Sequence, residues 1–180
     1  SKALGFIGLG VMGFPMAGHL ANQNNNISVF NRTSEKSKIW NTKYTGIVCK
    51  SPAEIAQLSD VIIICIGNDN NVRDVISGKD GMINYLKQGS VIVDHTTTSS
   101  ELSTEMNELL NTNDIFYIDA PVSGGEAGAQ SGQLSIMAGG DKEAFNLIEN
   151  ILEPYTKFIK YMGPSGSGQL TKMVNQICIA

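Results

Sequence analysis

The feature that most constrains this chain lies in its first thirteen residues. A short apolar run, Ala3–Ile7, leads straight into Gly8-Leu9-Gly10-Val11-Met12-Gly13, and an apolar helical pattern follows through Met16, Ala17, Leu20 and Ala21. Strand, G-x-G-x-x-G turn and helix, in that order, predict a βαβ unit whose first loop receives the pyrophosphate of a dinucleotide. Each glycine has its own physical task. Gly8 lets the chain turn tightly off the strand, Gly10 leaves the backbone open to a phosphate, and Gly13 lets the helix pack closely on the strand. The helix N-terminus adds unpaired N–H groups and the positive end of its dipole. Gly8, Leu9, Gly10, Val11, Met12 and Gly13 are therefore the candidate phosphate cradle.

The rest of the chain continues the alternation. Strand-like runs are Ile27–Phe30, Val61–Ile66, Val91–Asp94 and Ile115–Ile118, with two later ones at Leu134–Ala138 and Phe158–Tyr161. The unbroken β-branched run Val61–Ile66 predicts a central parallel strand buried on both faces. Helices are expected to open at Thr33-Ser34-Glu35 and at Ser51. In the second, Ser51 is the cap, Pro52 takes the first helical position and Glu54 completes a capping box. Two longer helices are expected over 98–111 and 141–152. The fold class is α/β, a Rossmann-type, doubly wound, mostly parallel sheet with right-handed crossovers. Residues 1–163 form the dinucleotide-binding domain, and residues 164–180 begin a further helix. Its stretch 169–180 is still apolar at Ile177-Cys178-Ile179-Ala180, with no C-cap glycine or polar tail. The expectation is a fragment whose last helix packs on chain that lies beyond it.

Composition removes several function classes. The 180 residues suffice for a full core, and 42% hydrophobic with 17% charged is ordinary for a folded domain. A net charge of −4 without a basic run argues against a nucleic-acid partner. No apolar stretch is long enough to span a bilayer, so no membrane partner is expected. The opening run is a strand broken by glycines rather than a charged-then-apolar leader. Three cysteines, Cys49, Cys65 and Cys178, show neither a CxxC pair nor metal spacing, which points to reduced thiols and a cytoplasmic location. Cys65 is expected as a small buried hydrophobe. His19 and His95 are read as a helix-surface and a strand-end histidine, and no metal site is expected.

Three further segments carry chemistry. At the end of the second strand stand Asn31, Arg32 and Thr33, where an NAD-binding domain usually places a carboxylate for the ribose hydroxyls. A carboxylate would repel a 2′-phosphate and a guanidinium attracts it, so NADP is expected over NAD. Thr33 adds a hydroxyl and a helix cap. After the strand ending at Asp119 comes Ala120-Pro121-Val122-Ser123-Gly124-Gly125. The serine hydroxyl and backbone N–H groups there could hold a carboxylate. The glycine-rich stretch 163–168 then enters a helix with Lys172 and Asn175 three residues apart on one face. A lysine close to a cationic nicotinamide and partly desolvated would have a lowered pKa, suited to proton transfer.

Four blocks in this order resemble the β-hydroxyacid dehydrogenases of the 3-hydroxyisobutyrate dehydrogenase type, within the 6-phosphogluconate dehydrogenase superfamily. They are Gly8–Gly13 with Met16-Ala17, Val93-Asp94-His95-Thr96-Thr97, Asp119–Gly125, and Gly163 to Asn175. The resemblance implies that Lys172 is the catalytic acid/base and that Ser123, Gly124, Gly125 and Asn175 meet the substrate. It also implies that Thr97 lies beside the nicotinamide and that Ile66-Gly67-Asn68, with Asn71, covers the cofactor. The implied reaction is reversible hydride exchange with a short hydroxyacid, its semialdehyde or keto acid being the partner species. Such proteins continue into an all-α domain that covers the site and forms a homo-oligomer, commonly a dimer. The family often has Leu-Pro where this chain has Ile66-Gly67, which should soften that loop. Alternatives on the same scaffold are an imine reductase, a 6-phosphogluconate-type decarboxylating dehydrogenase, or a dinucleotide-binding regulatory module. Lys172 speaks against the first and the last.

Overall fold

The computed structural model describes residues 2–23 and 26–179. Its first half runs β1 (Leu4–Ile7), α1 (Gly13–Gln23), β2 (Ile27–Phe30), α2 (Ser34–Lys43), β3 (Ile47–Val48), α3 (Pro52–Leu58), β4 (Val61–Ile64) and α4 (Asp69–Ser77). The second half runs β5 (Val91–Asp94), α5 (Ser100–Asn111), β6 (Phe116–Asp119), β7 (Val122–Ser123), α6 (Gly125–Ser131), β8 (Leu134–Gly139), α7 (Lys142–Leu152), β9 (Thr156–Gly163) and α8 (Ser167–Ile179). The strands build one sheet in which β3, β2, β1, β4, β5 and β6 are parallel neighbours in that order. β8 closes the far side, antiparallel to β6 and β7 and parallel to β9.

Alternation along the strands sorts the core into two layers, because successive side chains leave a strand on opposite faces. Val61 and Ile63 of β4 join Phe6, Met16, Leu20 and Trp40 on one face. Ile62 and Ile64 join Ile55, Val72, Leu102 and Met106 on the other. Helices α1, α2 and α7 thus cover one face, and α3, α4 and α5 the other. All four residues of β4 are fully buried, which is why that strand reads as an unbroken apolar run.

Strand order reverses between β1 and β4: β2 and β3 extend to one side, β5 and β6 to the other. A crevice opens there, beyond the carboxyl ends of the strands, where open α/β sheets receive ligands.

Several expectations shift. β4 ends at Ile64, and Cys65 and Ile66 leave the strand to line clefts; Cys65 is half-buried and packs against the core layer that holds Phe6 and Met16. β6 starts one residue later than expected, at Phe116. The elements β3, β7, α4 and α6 are additional. β3 is two residues long with both side chains exposed, and α4 buries only Val72 and Ile76, so periodicity is thin in both. At α3 the Ser51 hydroxyl accepts the Glu54 N–H at 3.2 Å. The returning Glu54 carboxylate takes the N–H of Lys50, one residue upstream of the expected partner. Thr33 occupies the N-cap position of α2, but its side chain makes no cap bond. α8 begins at Ser167, inside the glycine-rich stretch; Ala180 and Ser1, ends of the expected helix and domain, lie outside the described residues. Among the described residues no helix is long and apolar enough to cross a membrane.

Candidate active site

Two adjoining clefts sit at the strand ends. The first, about 640 Å³, is bounded by Ile7, Gly8 and Gly10–Gly13 after β1, and by Asn31, Arg32, Thr33 and Lys36 after β2. Ile66 and Gly67 after β4, Asn71 and Asp74 on α4, and Lys79 and Asp80 beyond it complete the wall. The second, about 410 Å³, brings together Thr96 and Thr97 after β5, Val122–Gly125, and Lys172 with Gln176 on α8. Met12, Cys65 and Ile66 line both, so the clefts are continuous at the switch point.

The glycine loop is shaped as its sequence implies. Gly8 has φ +102°, and a Cβ at Gly13 would lie 1.9 Å from the Gly8 carbonyl oxygen, so α1 enters as close to β1 as the backbone allows. Gly10 differs, because a Cβ there would meet nothing within 4 Å. The protein itself leaves that space open. Among the described residues, the N–H groups of Gly10, Val11 and Met12 have no partner and belong to this cleft wall. Leu9 does not line it. Its side chain is buried in the core, and its N–H donates to Asn31 Oδ1 at 2.8 Å. Asn31 also donates through Nδ2 to the Thr33 carbonyl at 3.0 Å, so its amide ties the glycine loop to the β2–α2 turn. Arg32 is exposed and, among the described residues, has no side-chain partner. Open space at Gly10, free N–H groups and a free guanidinium fit a phosphorylated dinucleotide.

The loop after β4 hangs on the Thr96-Thr97-Thr98 segment. Thr96 Oγ1 accepts the Ile66 N–H at 3.1 Å, and Asp94 Oδ1 accepts the Thr96 N–H at 2.9 Å. Gly67 makes room for Asn71, since a Cβ there would lie 2.5 Å from Asn71 Oδ1. Asn68 caps α4 by accepting the Asn71 N–H at 3.1 Å.

The lysine helix is held from its N-terminal end. Asp119, the last residue of β6, accepts the N–H of Gly166 at 2.8 Å and of Gln169 at 3.0 Å. Gly168 lets α8 press on the sheet, since a Cβ there would lie 2.4 Å from the Met137 carbonyl oxygen. Lys172 is thereby only 8% exposed, yet lines the second cleft, and its Nζ donates to the Val122 carbonyl at 2.5 Å. Burial lowers its pKa below the ordinary lysine value. Ser123 is half-buried beside it, while Gly124 (φ +128°), Gly125 (φ +60°) and Thr97 are exposed on the rim.

Asn175 is half-buried and does not line this cleft; Gln176 does. The helical repeat gives the reason. A residue four places on lies about 40° around the helix from Lys172, whereas one three places on lies about 60° the other way. The expected companion, Asn175, is the i,i+3 neighbour, and the cleft lies on the i,i+4 side.

His95 stands just past the end of β5, as a strand-end histidine should, and lines the second cleft. It is buried, donates through Nδ1 to the Ala120 carbonyl at 2.6 Å, and accepts the Tyr155 hydroxyl at Nε2, 2.8 Å away. These partners assign the tautomer, and burial pushes its pKa down to about 4. His19 is half-buried and bridges α1 to the carbonyls of Ala129 and Gln130. The Cys65 thiol is pushed up to about 12 by burial and by Asp94, so it stays protonated despite its place between the clefts. Among the described residues no group of His, Cys, Asp or Glu side chains could hold a metal ion.

The fold and its clefts define a dinucleotide-binding α/β domain with a buried lysine at its mouth. Residues 3–163 match the family described as the NAD binding domain of 6-phosphogluconate dehydrogenase. An uncharacterized oxidoreductase of Shewanella frigidimarina is 45% identical over 175 residues, covering 97% of this chain and 60% of its own length. Probable 3-hydroxyisobutyrate dehydrogenase-like 2, mitochondrial, of Arabidopsis thaliana is 39% identical over 176 residues, covering 98% of this chain and 58% of its own. The structure of Mycobacterium tuberculosis 3-hydroxyisobutyrate dehydrogenase with L-serine matches with a TM-score of 0.92 at 27% identity, over 99% of this chain and 60% of that one. The chain belongs to the family of NAD-binding domains typified by 6-phosphogluconate dehydrogenase. It spans about 60% of the length of the curated relatives it matches.

Proposed function

We propose that this chain is the cofactor-binding and proton-transfer part of an NADP-dependent oxidoreductase. The enzyme would interconvert a short β-hydroxyacid with its semialdehyde or keto acid. The observation that carries the reading is Lys172: a buried amine, on the floor of a cleft continuous with the dinucleotide cleft. When bound, the nicotinamide supplies the hydride chemistry. The chain's own residues do the rest. Gly10, Val11 and Met12 offer N–H groups to the pyrophosphate. Arg32 at the end of β2, with Lys36 one turn along, supports a 2′-phosphate, and no carboxylate stands at Asn31 to oppose it. Ser123 and the Gly124–Gly125 backbone orient the substrate carboxylate. Lys172, anchored on the Val122 carbonyl, takes the hydroxyl proton during oxidation and returns it during reduction. Thr97, at the rim between these groups, positions the reacting end.

The three free thiols suit a reducing compartment, the cytosol in this reading. Leu170, Met173, Val174 and Ile177 stand exposed along α8 and are the surface on which further helical chain, and a second copy of the protein, would pack. The test is cofactor reduction or oxidation by the full-length polypeptide with 3-hydroxyisobutyrate, tartronate semialdehyde, glyoxylate and succinic semialdehyde. Turnover with NADP(H) preferred supports the reading. A protein that binds NADPH tightly and turns over none of the panel refutes it.

A further inference from the structure

We propose that Gln169 is a positioning residue that sets Lys172 against the turn Thr96–Thr98. The inference rests on the reading of Lys172 as the acid/base. Gln169 is 3% exposed and sits one helical turn before Lys172 on α8. Its carboxamide makes two bonds across to another segment: Nε2 donates to the Thr96 carbonyl at 2.8 Å, and Oε1 accepts the Thr98 N–H at 3.2 Å. Those two groups flank Thr97. The side chain therefore behaves as a single strand partner, holding the backbone on both sides of Thr97, which with Thr96 lines the second cleft.

The same residue is fixed from behind. Its own N–H donates to Asp119 Oδ2 at 3.0 Å, and Asp119 Oδ1 accepts the Gly166 N–H. Asp119 fixes α8 to the end of β6, and Gln169 fixes the end of β5 to α8. The chain of contacts runs on, because Thr96 carries the Ile66 N–H and is itself held by Asp94. Gln169 is thus where the lysine helix and the loops at the mouth of the dinucleotide cleft meet. No charged group could replace it. The site needs one donor and one acceptor in a fixed order, which a carboxamide supplies and a carboxylate does not. A merely space-filling residue would be satisfied by leucine.

The test uses Gln169→Leu and Gln169→Glu in the full-length polypeptide, with two readouts. The first is hydrogen exchange of the Thr98 amide, which needs no turnover. Gln169→Leu should accelerate it by about tenfold or more, because that N–H loses the one acceptor it has among the described residues. The second is steady-state kinetics. Misplacing Lys172 and the Thr97 turn should lower kcat by roughly 10–100-fold while NADPH affinity, set at the far end of the cleft, stays within about threefold. Gln169→Glu keeps shape and covers the case in which leucine does not fold. Its protonated acid can donate and accept like the amide, so Thr98 protection and kcat, relative to wild type, should both fall as pH rises and the carboxyl ionises. Unchanged Thr98 exchange in a folded variant overturns the proposal. So does faster exchange with unchanged kcat. Failure of the functional reading looks different: wild type inactive on every hydroxyacid while Gln169→Leu still unlocks Thr98.

Discussion

Gly10 and Gly13 belong to one motif, and the structure assigns them opposite physical reasons. A pair of substitutions separates the two. At Gly10 an added Cβ meets nothing within 4 Å, and the residue is not among those with positive φ. Gly10→Val should therefore leave stability within about 0.5 kcal/mol of wild type. The isopropyl group would fill the space in front of the N–H groups of Val11 and Met12. If two charge-assisted backbone bonds to phosphate are lost at about 1.5–3 kcal/mol each, NADPH binding weakens by roughly 10²–10⁴-fold. At Gly13 the Cβ would stand 1.9 Å from the Gly8 carbonyl oxygen and 3.0 Å from the Phe6 ring, and neither backbone can retreat without parting α1 from β1. Gly13→Ala should cost about 1–3 kcal/mol or more as overpacking, a drop of roughly 2–12 °C in melting temperature for a chain of this size. Thermal melts and NADPH fluorescence titrations on both variants decide the matter. Near-normal NADPH affinity in folded Gly10→Val refutes the reasoning, as does a Gly10→Val melting point below that of Gly13→Ala.

Arg32→Ala should weaken NADPH binding by about tenfold, the low end for a charge-assisted pair because the side chain is exposed, and leave NADH binding unchanged; equal loss for both cofactors speaks against a 2′-phosphate contact. Lys172→Ala should cut kcat by roughly 10²–10⁴-fold with little change in cofactor affinity, and Lys172→Arg should not rescue it, because a guanidinium cannot accept the proton. Since burial lowers the Lys172 pKa, the rise of oxidation rate with pH should fall below the ordinary lysine value of 10.5, and Lys172→Ala should abolish that limb. His95, with its pKa depressed to about 4 from 6.5, lends about 3 kcal/mol that is complete above pH 6.5 and lost as pH falls toward 4. Asp94, raised to about 6 from 3.8, works in the opposite sense, its contribution complete below 3.8 and lost as pH rises through 6. Denaturant melts of Asp94→Asn between pH 6.5 and 4 should therefore show a steeper acid loss than wild type, and an identical slope would contradict the assignment.

Much of this fold is legible in short segments because its rules are local. The β-branched run Val61–Ile64 announces a strand buried on both faces, and Ser51-Pro52 announces the start of α3. What escaped depends on partners far away in sequence. Nothing in the local sequence announces that the Asn31 amide is engaged by the Leu9 N–H, twenty-two residues before it. His95 reads only as a strand-end histidine, because Tyr155, sixty residues on, occupies its second nitrogen. Asn175 was the natural companion of Lys172 by spacing, but the choice between i+3 and i+4 depends on how α8 is rotated against the sheet, and no residue of α8 alone encodes that. The rotation is set by Asp119 and by the absence of a Cβ at Gly168.

In the proposed function, that arrangement separates binding from chemistry within one chain. The dinucleotide cleft is built from the ends of β1, β2 and β4 and from α4, all in the first half of the sequence. Lys172 arrives from α8, which presses on β8 at Gly168 and is tied by hydrogen bonds to the end of β6 and, through Gln169, to the turn after β5. The two regions share three residues, Met12, Cys65 and Ile66, at the reversal of strand order. A displacement of α8 would therefore carry the amine away from the second cleft without moving the glycine loop, whereas a bulge at Gly10 would close the first cleft without moving the amine. Gly10→Val should accordingly leave the exchange rate of the Thr98 amide as in wild type, and Gln169→Leu should leave the affinity for NADPH nearly intact. If instead each substitution produced both effects, the clefts would be coupled through Met12 and Ile66, and the lysine helix would respond to the cofactor instead of standing ready for it.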